Sequence, residues 1–173
     1  MRDGIKLMLN TIIKTAVSAA FITVSMAALA GNLTVSKEMI INASPDTAWK
    51  MIGDFNHLDV WHPVVVASQL TKGNSDVAGA VRVLTLGNGA TITEKLVANN
   101  NLSHRYTYAI TESPLPVADY VSTISVAEGM DGKSVVTWSS SFDANGATDE
   151  EATNTISGIY DAGLMNLDKH FNK

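Results

Sequence analysis

Residues 81–98 read VRVLTLGNGATITEKLVA, and their pattern decides the fold. Val81–Leu86 alternates, Gly87-Asn88-Gly89 turns the chain, and Ala90–Ala98 alternates again. Apolar residues at every second position mark half-buried strands. Gly and Asn supply the positive φ angles that tight hairpin turns require. The segment is therefore predicted to form an antiparallel hairpin, and its short turn fixes the register. Leu86 falls opposite Ala90, Leu84 opposite Ile92, and Arg82 opposite Glu94. Arg82 shares a face with Leu84 and Leu86, and Glu94 with Ile92 and Leu96, because alternate strand residues point to one side. Directly opposed Cβ atoms lie about 4.5–5.5 Å apart. Two opposite charges on an otherwise apolar face predict a buried pair.

The same alternation continues downstream. Asn99-Asn100-Asn101 turns the chain, and Ser103–Thr111 reads as the next strand. With Ala98 pairing near Leu102, Glu94 would face Tyr106 and Ile92 would face Tyr108. Pro114 and Pro116 break the run, Asp119–Ala127 resumes it, and Gly129-Met130-Asp131-Gly132 leads into Ser134–Phe142. Tyr120, Ser122 and Ile124 are expected to share the inner face with Val136, Trp138 and Phe142. Upstream, Val64–Leu70 and Leu33–Asn42 complete the strands.

Helices frame these strands. Ser44-Pro45-Asp46 combines a preferred N-cap, a proline suited to the first helical position and an acid suited to the positive dipole end. Ala48, Met51, Ile52 and Phe55 follow at helical spacing, and a second short piece, Asn56–Val60, leads into Trp61-His62-Pro63. Near the end, Thr148 and Glu151 form a capping box. Ile156, Ile159, Tyr160, Gly163, Leu164, Leu167 and Phe171 then make one apolar helical face. Gly158 and Gly163 are poor helix formers, which points to close approach or bending. The expected fold is α+β: a curved antiparallel sheet wrapped around a long C-terminal helix, with two short helices after the first strand. Such an arrangement leaves a gap between sheet and helix, where ligands usually sit.

The first thirty residues differ from the rest. Arg2, Lys6 and Lys14 precede an uncharged stretch, Thr15–Ala30, that ends Ala28-Leu29-Ala30. The stretch is shorter than the roughly 20 apolar residues of a membrane span and contains several Ser and Thr. It reads as a secretory signal peptide cleaved after Ala30, giving a mature domain of residues 31–173 in the periplasm or outside the cell. No stable membrane insertion is expected after cleavage. The chain has 173 residues with formal charge −5; the leader carries three of twelve Lys+Arg and one of seventeen Asp+Glu. The remainder holds nine basic and sixteen acidic side chains, a formal charge of −7. That balance, with no basic stripe, argues against a nucleic-acid partner. The absence of cysteine rules out disulfides, thiol nucleophiles and Cys-based metal sites.

Several segments, in order, resemble the START-like (SRPBCC, helix-grip) superfamily, and its bacterial polyketide cyclase/dehydrase branch most. Ile41–Trp49 (INASPDTAW) resembles the branch's opening motif. Asp54-Phe55 followed by Trp61-His62-Pro63 resembles its next segment. Gly79–Arg82, Gly89–Glu94, Pro114–Val117 and Val136-Thr137-Trp138 follow in the expected order, so the resemblance spans nearly all of residues 33–173. It implies a cavity that takes lipids, polyketides or other hydrophobic small molecules. It implies equally an enzyme of the cyclase or dehydratase type. Some exported relatives are described as accessory proteins of periplasmic methanol oxidation, which implies a protein partner instead. No cofactor is implied.

Arg82 and Glu94 carry three readings. They can be a self-satisfying structural pair, because either charge buried alone is costly. They can fix polar groups of a ligand, with Tyr106 alongside. Or Glu94 can act as a general acid or base, tuned by burial against Arg82. Trp61, Tyr106, Tyr108 and Trp138 are expected as cavity wall, and His62 at the cavity mouth. The four histidines show no metal-ligand spacing. Ser139-Ser140-Ser141 lacks a nucleophile elbow, and Asp143-Ala144-Asn145-Gly146 lacks the bidentate Glu that closes a calcium loop. The oligomeric state is not legible in the sequence.

Overall fold

The computed structural model describes residues 31–173; the signal-peptide assignment lies outside them. The elements run β1 (Leu33–Ile41), α1 (Pro45–Ile52), α2 (Leu58–Trp61), β2 (Val65–Lys72), β3 (Val81–Leu86), β4 (Thr91–Asn100), β5 (Arg105–Glu112), β6 (Val117–Glu128), β7 (Ser134–Ala144) and α3 (Asp149–Phe171). Seven strands form one antiparallel sheet in the order β1-β7-β6-β5-β4-β3-β2. The α+β helix-grip architecture is the one expected.

Local chemistry sets the element ends. Ser44 caps α1 and accepts from the Thr47 amide, with Pro45 at the first helical position. Thr148 and Glu151 close a reciprocal capping box on α3. Burial follows the two periodicities. β7 buries every second residue from Ser134 to Phe142, and β4 buries Ile92, Glu94 and Leu96. The helix α3 buries Ala152, Ile156, Tyr160, Gly163, Leu164 and Leu167 against the sheet. Trp138 of β7 stacks on Tyr160 of α3, with ring centroids 4.3 Å apart and planes 15° from parallel.

The β3–β4 register is the expected one: Arg82 pairs with Glu94 and Leu84 with Ile92. The β4–β5 register is not. Ala98 pairs with Thr107, Leu96 with Tyr108 and Glu94 with Ile110. Thus Glu94 does not face Tyr106, and Ile92 does not face Tyr108. The strand β4 runs on to Asn100, whose side chain caps a tight 3-10 turn at Asn101–Ser103, and the ladder shifts between Leu96 and Ala98. At Glu94 and Leu96 the displacement is four residues, an even number, so the buried side stays the same there. The sheet also splits at one end. The β5–β6 pairing stops at Ala109–Val121, while Ile110 stays with β4 and Val117 with β7.

Candidate functional site

A cavity of about 60 Å³ lies between the sheet and α3. Leu84, Ile92, Leu58 and Ile156 supply apolar lining, and Glu94, His62, Tyr108, Tyr120 and Trp138, which also carry polar atoms, complete it. The space is well below the roughly 300–1,000 Å³ of ordinary ligand pockets, so it is not ligand-sized as it stands. Aromatic side chains of β5, β6 and β7 (Tyr108, Tyr120 and Trp138) form part of its wall. The rim is looser, since Val64 lines the cavity and is 43% exposed. On the other side, a groove of about 500 Å³ occupies the split between β5 and β6, and Ile110 and Tyr120 line both spaces.

Glu94, His62, Tyr108 and Trp138 are brought together around the cavity, whereas Arg82, Tyr106 and Trp61 are buried outside its lining. Arg82 has no exposed surface. Its Nε donates to Glu94 Oε2 at 2.7 Å and its Nη1 donates to the Phe55 carbonyl. Its Nη2 lies 2.6 Å from the same Oε2, but no N–H there is aligned with an acceptor. That contact is an ion contact rather than a second hydrogen bond. The guanidinium also sits 4.2 Å above the Phe55 ring centroid. A guanidinium does not deprotonate in proteins, so the buried cation requires an anion beside it. Burial lifts the Glu94 carboxyl above its ordinary range, and Arg82 pulls it part of the way back. Burial works against the Arg82 charge, but Glu94 and the neighbouring Tyr106 and Tyr108 hold its pKa above the ordinary value.

His62 is buried rather than placed at an open mouth. Its Nε2 lies 3.0 Å from the Ile159 carbonyl of α3. A carbonyl only accepts, so Nε2 carries the proton and Nδ1 is a bare lone pair. Burial pushes the His62 pKa down; the Ile159 contact opposes this and the Arg82 charge reinforces it. The approach is allowed by Gly163. A Cβ there would lie 2.7 Å from His62 Cδ2, 2.9 Å from Trp138 Cζ3 and 3.1 Å from Trp61 Cζ3.

A directed hydroxyl chain joins α3 to the sheet. Ser122 Oγ donates to the Ser139 carbonyl at 3.0 Å. It therefore accepts from Tyr160 at 2.9 Å, and Tyr160 in turn accepts from Tyr120 at 2.5 Å. The Trp138 indole N–H is shared between Ser122 Oγ and Tyr108 Oη, each at 3.0 Å. Burial raises the phenol pKa values of all four buried tyrosines, Tyr106 and Tyr160 to about 12. The role of Tyr160 was missed by sequence reasoning, which placed it only on an apolar helical face. A tyrosine amid aliphatic core positions was the available signal, because a buried phenol needs a partner.

The chain matches the family described as polyketide cyclase / dehydrase and lipid transport over residues 32–172. It is similar to the solved structure of XoxI from Bacillus cereus: 40% identity, 81% of this chain and 96% of that chain covered, TM-score 0.76. It is similar also to an uncharacterised protein from Bacillus thuringiensis: 39% identity, 82% and 100% covered, TM-score 0.76. A protein from Thermobifida fusca shares 27% identity over 79% of this chain and 91% of its own, with a TM-score of 0.72. With the match running from the first strand through the last helix, this chain belongs to the polyketide cyclase / dehydrase and lipid transport family.

Proposed function

We propose that this protein is exported, with residues 1–30 removed, and binds a hydrophobic or amphipathic small molecule between the sheet and α3. One observation carries the reading: an apolar cavity whose lining includes a buried carboxylate and a buried imidazole with unused hydrogen-bonding capacity. The small volume means that a ligand must spread the rim at Val64, Leu86, Leu115 and Ile159. Native mass spectrometry of the purified protein tests the reading, with an added mass on the intact chain as the expected result. A pool of lipids and aromatics should raise the melting temperature, since a ligand at a hundred times its Kd adds about 2.7 kcal/mol. A clean mass together with an unmoved melting curve sinks it. Export is checked separately: protein recovered from outside the cytoplasm should begin at Gly31.

A second reading is favoured by the position of Glu94, a carboxyl lifted by burial on the cavity wall. It would then serve as the acid or base of a cyclase or dehydratase. Under that reading Glu94→Gln abolishes turnover in the folded protein, a loss far larger than any accompanying loss of ligand affinity.

A further inference from the structure

We infer that the polar group recognised in this cavity is a neutral hydroxyl, an alcohol or phenol on an apolar body, gripped by His62, Glu94 and Tyr108. The inference rests on the binding reading above and deepens it.

The argument is an account of protons. His62 turns its Nε2–Cδ2 edge to α3, with Nε2 on the Ile159 carbonyl and Cδ2 against Gly163. The opposite edge carries Nδ1, which is buried and has no partner among the described residues. It can only accept. Glu94 spends Oε2 on Arg82, and Oε1 makes no hydrogen bond to a described residue. It too can only accept. Tyr108 Oη receives the Trp138 N–H, and its own proton finds no acceptor. The neighbouring Ser122 oxygen already accepts from Tyr160 and Trp138. These three cavity-lining side chains therefore leave two acceptors and one donor without a partner among the described residues.

A hydroxyl donates one proton, to His62 Nδ1 or Glu94 Oε1, and accepts from Tyr108 on a lone pair, so one small neutral group meets both kinds of partner. An ether or ketone has no proton for His62 or Glu94. A carboxylate has none either and meets the Glu94 charge. Arg82 cannot rescue it, being outside the lining and already engaged by Glu94 and Phe55. An ammonium would add a charge that no anion remains to balance, since Glu94 already balances Arg82.

Two matched probe series test this: octan-1-ol, its methyl ether and octanoate; and para-cresol, 4-methylanisole and para-toluate. Affinities are read by calorimetry or tryptophan fluorescence. Within a series the hydroxyl compound should bind about tenfold or more tightly, because a buried acceptor left unpaired is costly. In His62→Phe, which keeps a ring against Trp138, the preference should shrink to a few-fold. If the ether or carboxylate binds as tightly as the alcohol, the hydroxyl inference is overturned and the binding reading survives. Equal preference in His62→Phe removes His62 from the grip. Silence from every probe overturns the inference, and combined with silence from the lipid and aromatic pool it overturns the binding reading too. Should His62→Phe fail to fold, the wild-type series alone decides.

Discussion

Arg82 and Glu94 are separated by twelve positions and one turn, and both lie under the sheet's inner face. Removing one partner strands a buried charge. Arg82→Leu should therefore cost about 3–5 kcal/mol in urea denaturation, and the double replacement by leucine should recover part of that loss. A single-variant cost below about 1 kcal/mol would show that water reaches the pair. This pair was legible in the sequence because a short turn leaves only one register. The setting of His62 was not, since it depends on Gly163, a hundred residues away and visible only as a poor helix former. The His62 pKa is lowered from 6.5 in the folded chain. Below that value the unfolded chain binds more protons, so its share of stability is present above pH 6.5 and is lost as pH falls through the folded pKa. Melting temperatures measured on acidification should fall over that window, and less steeply in His62→Phe.

The two glycines of α3 give an internal control at the scale of the element. Alanine is the better helix former by about 1 kcal/mol. At Gly158 a Cβ meets nothing within 4 Å, so Gly158→Ala should stabilise by about 0.5–1 kcal/mol. At Gly163 the Cβ would press on three rings, and Gly163→Ala should destabilise by about 1–3 kcal/mol despite the propensity gain. Thermal or urea melts of the two variants should move in opposite directions; the same direction would mean that the rings yield. The strands were legible from alternation and turn residues, whereas the β4–β5 register was not. The Asn-rich turn looked like the end of β4. In fact Asn100 still belongs to that strand, and its side chain caps the turn that follows.

For the molecule as a whole, four buried phenols in one core make alkali a specific denaturant. The phenols of Tyr106 and Tyr160 are pushed up to about 12 from an ordinary 10. Their share of stability is intact below pH 10 and is lost between pH 10 and 12, on the order of 2–3 kcal/mol each. Tyrosinate absorbance and loss of near-UV dichroism should therefore rise together. Tyrosinate appearing in a chain with intact dichroism would refute this. The α+β outline was readable because both periodicities are long and uninterrupted. The size of the cavity was not, because it depends on how far Tyr108, Tyr120 and Trp138 reach across it. The sheet order has one more outcome, which concerns synthesis. The strand β1 does not pair with β2; it pairs with β7, with Leu33 beside Phe142. Such distant pairings are slow to form. A nascent chain stopped before Ser134 has a first strand with nothing to zip against.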